Sequence, residues 1–247
     1  MIRFWWQRAT PVKNREGFME TTTPQPAEPA ATRIPLAFES RILEPLGLLQ
    51  LVEYPHPALL RPARPLVRID DALCEAVEQM FEIMYESVGV GLAANQVALP
   101  YRLFIVNLEA HGDAGEELVF INPSISRPRG TAVQEEGCLS LPGLRMDVRR
   151  PERVVIDAWS LDGTPIHLDL DGMLARVVQH EFDHLEGRLF TDRLPEAAAL
   201  EARRSLETFR EVFEGRQSRG ELPASNSLLA RLDRLEADRC ADPNAPA

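Results

Sequence analysis

His180, Glu181 and His184, within the run QHEFDHLEG at 179–187, are the residues whose types and spacing could do chemistry. Four positions apart on a helix, the two imidazoles share one face with their Cβ atoms roughly 6 Å apart, close enough to hold a single metal ion. Glu181 then stands beside the ion, placed to take a proton from metal-bound water. A bare HExxH also arises on ordinary surface helices, where Glu181 and Asp183 would be solvated charges. The flanking residues argue otherwise. Met173, Val177, His180 and His184 advance by 4, 3 and 4, so the histidines extend a buried apolar stripe. Imidazoles in a core need a partner. No Pro or Gly interrupts the stretch between Gly172 and Gly187, which predicts a helix with Gly187 as its stop.

A catalytic metal site generally keeps three protein ligands and one open position, so a third ligand must come from elsewhere. Cys138, in EGCLS at 136–140, follows Gly137 on what reads as an irregular or edge segment between strands. A lone cysteine is more often a small core residue, and the missing ligand is what favours the chemical reading. GVGLAANQ at 89–96 carries two glycines followed by small residues, which let a backbone approach something closely. It is not a phosphate cradle, because Ala94 stands where a third glycine belongs and no GKS or GKT follows. It reads as a tight loop presenting backbone groups and the amide of Gln96.

These residues need elements to position them. Asp70 or Asp71 caps a helix whose apolar positions Leu73, Val77, Met80, Met84 and Val88 keep the helical period until Gly89. Short apolar runs suited to strands follow at Leu103–Val106, Leu118–Ile121 (ended by Asn122-Pro123), Arg153–Trp159 and Pro165–Leu170. Asp162-Gly163 is a hairpin signal, and Ile166, Leu168 and Leu170 alternate with polar residues as a half-buried strand would. Strands preceding the histidine helix predict an α+β domain, mostly antiparallel strands packed around a central metal-binding helix with a C-terminal helix after it. That last helix carries the stripe Ala199, Ala202, Leu206, Phe209 and Phe213, with Arg203, Arg204, Arg210 and Arg216 at exposed positions. A second short helix with Leu228, Leu229, Leu232 and Leu235 precedes Cys240, which falls in a polar tail.

The chain divides into an N-terminal extension (1–47), a catalytic domain (48–194) and a C-terminal helical segment with its tail (195–247). The extension contains a Thr/Pro/Ala stretch without helical or strand period and reads as weakly ordered. Its first 15 residues hold Arg3, Arg8, Lys13 and Arg15 and no acid, which fits an organellar transit peptide; synthesis starting at Met19 accounts for the same residues. The 247 residues carry a formal net charge of -11, so neither DNA nor an anionic membrane is an expected partner. No apolar run approaches the roughly 20 residues that span a bilayer. The odd, scattered cysteines Cys74, Cys138 and Cys240 are no disulfide framework and indicate a reducing compartment such as the cytoplasm.

In order and spacing, GVGLAANQ, EGCLS and QHEFDHLEG resemble the three signature motifs of the peptide deformylase family, over about residues 48–194. The resemblance implies hydrolysis of the N-terminal formyl group of N-formylmethionyl nascent peptides, releasing formate. It implies Cys138, His180 and His184 as ligands of one divalent ion, natively Fe2+, with Zn2+, Ni2+ or Co2+ able to replace it, and water as the fourth ligand. Glu181 would be the general base and then the acid that protonates the departing amine. The Gln96 amide and the Leu139 N–H would donate to the oxyanion, and Gly91 would align the substrate peptide as an added strand. Beside the metal, Val90, Met173 and Val177 form the expected floor of an apolar pocket suited to an unbranched thioether. Arg145, in a Pro-Gly loop, is either solvated or within reach of substrate carbonyls.

HExxH also marks metallopeptidases, and HLEG mimics the start of a longer zinc motif. The third histidine of that motif would fall at Phe190, leaving Glu196 or Glu201 as substitutes and two of the three motifs unexplained. Work on nascent chains also makes ribosomal RNA a candidate partner for the arginines of the C-terminal helix, against the plainer reading of a solvated face.

Overall fold

The computed structural model describes residues 46–112 and 115–240; the expectations for the N-terminal extension up to residue 45 lie outside them. Asp70 opens helix α1 (Asp71–Glu86), its side chain accepting from the Leu73 N–H. Leu73, Val77, Met80 and Met84 are buried along one face, as their period requires. Val88 is not. The helix ends at Glu86, the chain reverses so that the Gly89 N–H returns to the Met84 carbonyl, and Val88 takes φ +55° and is 81% exposed.

Seven strands follow among the described residues: β1 (Gly91–Ala93), β2 (Leu103–Val106), β3 (Leu118–Arg129), β4 (Ala132–Cys138), β5 (Leu141–Arg150), β6 (Arg153–Trp159) and β7 (Pro165–Asp171). Every pairing between them is antiparallel. Five make one sheet in the order β1-β2-β3-β6-β7, while β4 and β5 form a separate hairpin. Helix α2 (Gly172–Leu185) carries the histidines, and α3 (Glu196–Ser218) and α4 (Ser225–Arg239) are the last helices among the described residues. The α+β class read from the sequence is the one observed.

The sheet is covered on both faces near β1 and β2, and this explains why β2 shows no polar alternation. Leu103 and Ile105 enter a cluster with Leu73, Val77 and Met80 of α1, while Phe104 and Val106 pack with Ala175, Val177 and Val178 of α2. Neighbouring residues of β1 divide in the same way, Leu92 towards α1 and Ala93 towards α2. GVGLAANQ is therefore not a loop throughout. Its middle is the edge strand β1, and Ala94–Val97 form a 3-10 turn. A third cluster joins Leu141 and Val148 of the hairpin to Leu189 and Phe190, with Leu206 and Phe209 of α3 against it.

Several expected boundaries move for identifiable reasons. β3 does not stop at Asn122-Pro123: Asn122 adopts φ +50° in a register shift, its side chain pairs with both backbone groups of Leu66 at 2.8 Å, and the strand runs on to Arg129. Leu168 is exposed on the edge strand β7, whereas Leu170 is buried. Cys240 is no free tail residue. It bridges to Leu66, and α4 is tied down by ion pairs from Arg61 to Asp233 and Glu236 at 2.9 and 2.8 Å. Arg216 is half-buried, unlike the exposed Arg203, Arg204 and Arg210.

Helix α2 ends as its glycine predicts. The Gly187 N–H donates to His184 O and the Arg188 N–H to Asp183 O, with Gly187 at φ +68°. A Cβ on Gly187 would lie 2.8 Å from the Arg61 carbonyl carbon. Gly187→Ala should therefore destabilise the protein by about 1–2 kcal/mol from backbone conformation alone, with the contact against Arg61 adding to it, as read by urea denaturation.

Candidate metal centre

Cys138, the last residue of β4, meets two side chains of α2. Its Sγ lies 3.3 Å from His184 Nε2, and one ligand atom each from Cys138, His180 and His184 all fall within 4.8 Å of one another. A tetrahedral ion with bonds of about 2.3 Å to sulfur and about 2.0 Å to nitrogen places those two atoms roughly 3.6 Å apart. The donor set fits a divalent cation, and three ligands leave a position open. A thiolate with two imidazoles suits zinc or ferrous iron equally.

The imidazoles are oriented from behind. His180 Nδ1 pairs with Glu136 Oε2 at 2.9 Å, which turns its Nε2 towards the thiol. Burial holds His184 well below the usual histidine range, with His180 and Arg150 acting in the same direction. At His180 burial acts the same way, but bonds to Cys138 and Glu136 outweigh it and raise the pKa. Asn95, in the turn after β1, donates to the His184 carbonyl and holds the end of α2 in place.

Glu136 is itself buried, and burial works against its charge. Hydrogen bonds from His180 and Arg150 prevail and hold its carboxyl well below the ordinary range. Arg150 grips both its oxygens at 2.6 and 2.9 Å, and Arg176 adds a bond at 2.6 Å. Arg150 also reaches Asp183 at 2.6 Å, and Asp183 accepts from Arg193. These residues were missed from sequence. Asp183 is no solvated charge but 1% exposed. The signal available was the apolar face of α2, where Arg176, Gln179 and Asp183 recur at helical spacing with the histidines and must find partners.

Glu181 lies beside the ligands, buried, and its Oε2 has no hydrogen-bond partner. Burial pushes its carboxyl up to about 7. Across from it, the Gln96 Oε1 accepts from the Ala93 N–H at 2.8 Å, which fixes the amide so that Nε2 points at Cys138 Sγ (3.5 Å) and Ser140 Oγ (3.3 Å). Leu139 follows Cys138 in the turn of the hairpin. Gly91 is on the edge strand, where a Cβ would come 2.5 Å from Glu181 Oε1 and 2.8 Å from Val177 Cγ1.

A cleft of about 750 Å³ opens over these groups, with Val90, Gly91, Met173, Val177 and Arg145 on its walls. Val177 is buried, but Met173 is 55% exposed at the mouth, because the first turn of α2 projects into solvent. It does not extend the buried stripe. Arg145 is not in a loop: β5 starts at Leu141, and Arg145 sits opposite Gly137 in register, paired with Glu135 at 3.1 Å on the surface. The Gly137 α-carbon passes under the Arg145 stem, 3.3 Å from where a Cβ would stand, so this glycine makes room for Arg145. Phe190 stacks on His180 with ring centres 6.2 Å apart, and Glu196 and Glu201 are exposed on α3. None of the three joins the ligand cluster found among the described residues, which leaves a metallopeptidase ligand set without support.

The family model for polypeptide deformylase matches residues 48–199. A peptide deformylase of Rhodopirellula baltica is 43% identical over 189 residues, covering 76% of this chain and 94% of that protein. The chloroplastic peptide deformylase 1B of Solanum lycopersicum is 39% identical over 184 residues, 74% of this chain and 65% of that one. Among solved structures, Arabidopsis thaliana peptide deformylase 1B in complex with an inhibitor superposes with a TM-score of 0.66 at 36% identity, covering 69% of this chain and 94% of that one. The Synechococcus elongatus peptide deformylase in complex with actinonin gives 0.60 at 38% identity over 70% and 91%. Among the described residues no helix is long and apolar enough to cross a membrane.

Replacing the sulfur tests the ligand set directly. Cys138→Ser should lower metal affinity at least about tenfold, read as metal content by elemental analysis of anaerobically purified protein. Unchanged content would assign the third ligand elsewhere.

Proposed function

The chain belongs to the peptide deformylase family and is an enzyme of that family, and on that footing we propose how its own residues remove the formyl group of N-formylmethionyl peptides. The observation that carries the reading is the convergence of Cys138, His180 and His184 within 4.8 Å beside a buried carboxylate with an unpartnered oxygen. Those three side chains would hold one divalent ion, Fe2+ by family resemblance. When bound, such an ion supplies Lewis acidity and lowers the pKa of a coordinated water.

The remaining chemistry belongs to the protein. Glu181, raised by burial to about 7, takes a proton from the attacking water and returns it to the departing amine, so that formate and a free N-terminus leave. The Gln96 Nε2, oriented by the Ala93 N–H, and the Leu139 N–H donate to the tetrahedral oxyanion. The open edge of β1 at Gly91 offers main-chain pairing to an extended peptide, and the missing side chain there keeps Glu181 in place. Val90, Val177 and Met173 receive the methionine side chain, with Arg145 at the exit for the following residues. Three free thiols fit a reducing compartment, as does an oxygen-sensitive thiolate–iron site.

Turnover of formyl-Met-Ala-Ser tests this assignment. Glu181→Ala should lower kcat by about 10²–10⁴-fold while retaining metal; a variant as active as wild type removes Glu181 from the mechanism. Contact with ribosomal RNA through α3 extends the proposal, although Glu201 and Glu207 share a surface groove with Arg203 and Arg204. Under that extension, salt-sensitive co-sedimentation with ribosomes is lost in a double variant, Arg203→Glu with Arg204→Glu. Sedimentation unaffected by the substitutions would assign this face to solvent.

A further inference from the structure

Two residues of a strand span about 6.6 Å and four residues of a helix about 6 Å, so β4 and α2 can be matched step for step. Cys138 meets His184 at 3.3 Å, and Glu136 meets His180 at 2.9 Å. One further step leads from His180 back to Arg176 on α2 and from Glu136 back to Gln134 on β4, whose register partner is Val148 of β5. Arg176 occupies that third step. It is 6% exposed; its Nη1 donates to Glu136 Oε1 at 2.6 Å and to the Val148 carbonyl at 3.1 Å, and its Nη2 to the Ala132 carbonyl at 2.9 Å. One guanidinium thus holds both strands of the hairpin and the carboxylate between them. The hairpin is separate from the five-stranded sheet. Apolar contacts hold it to Leu189 and Phe190, and the Tyr54 N–H donates to the Ser140 carbonyl in its turn. Its polar attachment to α2 consists of side-chain bonds such as these and those of Arg150 and Gln179.

Resting on the metal-centre reading above, we infer that Arg176 is a positioning residue for the metal site: by fixing the register of the hairpin on α2, it sets the separation between the Cys138 thiol and the two imidazoles. It contributes no ligand atom. A charge effect of opposite sign competes with this role. With Arg176 present, the Glu136 carboxylate is shared between two guanidiniums. Without it, more of that charge falls on the His180 Nδ1–H, which makes the imidazole a stronger donor and metal retention tighter. The direction of the change in retention therefore separates register from charge.

The test uses the full chain loaded anaerobically with Co2+, following release to excess chelator and the thiolate-to-cobalt absorption band. Arg176→Met keeps an unbranched stem on the cleft wall and removes every donor; Arg176→Lys keeps the charge but gathers its donors on one nitrogen, without the two-nitrogen span of the guanidinium. Arg176→Met should release Co2+ at least about tenfold faster than wild type and shift the thiolate band, with Arg176→Lys in between. Removing one partner of a buried ion pair is costly, so if Arg176→Met does not fold, Arg176→Lys decides alone. Unchanged or slower release, or an unshifted band, overturns the role of Arg176. A wild type with no thiolate band at all overturns the metal-centre reading itself.

Discussion

A single buried carboxylate, Glu136, constrains most of what surrounds the candidate metal centre. An anion removed from water must be matched by cations and donors, and Glu136 is matched by Arg150, Arg176 and His180. Arg150 is buried in turn, so it needs Asp183, and Asp183 draws in Arg193 at the surface. Each residue is there because the previous one could not be left alone. The product of the whole chain of pairings is modest and specific: one tautomer and one orientation of one imidazole. Such a network contributes little net stability, since charge desolvation offsets most of its Coulomb gain. It contributes definition.

The second constraint is the double covering of the sheet. With α1 on one face and α2 on the other, β1 and β2 cannot rotate or slip by a residue without sending Phe104 and Val106 into the wrong cluster. That fixes Gly91 against Glu181 and Gln96 against Cys138, although the residues concerned come from an edge strand, a 3-10 turn, a hairpin and a helix. The part of the molecule covered on both faces thus carries Glu181 and the Gln96 amide, while the sulfur arrives on the separate hairpin.

Much of this was legible in the sequence, and the failures have physical reasons. Helical spacing put His180 and His184 on one face, and strand-like runs before them gave the α+β class. Cys138 was a candidate through the missing third ligand and then through the resemblance of EGCLS, because nothing local says that a strand end will reach a helix far along the chain. Glu136 was in the same motif and received no role: a carboxylate next to glycine looks solvated until its partners are seen. Asn122-Pro123 signalled an end because the local rule for such a pair is a turn, yet tertiary bonds to Leu66 carried the strand through a bulge. Met173 and Val88 fit the period of their helices but lie at helix ends, where period no longer implies burial.

The independence of the β4–β5 hairpin gives the ion a second consequence. A bond from Cys138 to the metal and from the metal to His184 would close a loop across a sequence separation of 46, and a crosslink of that span removes on the order of 4 kcal/mol of chain entropy from the unfolded state. The cation would then act as a tertiary rivet. Stripped of it, the hairpin is held mainly by side chains, with one backbone bond from the Tyr54 N–H to the Ser140 carbonyl in its turn, and local opening would begin there rather than in the sheet. Metal occupancy and folding would be read on one scale, so that an enzyme losing its ion would become, in the same event, a looser protein.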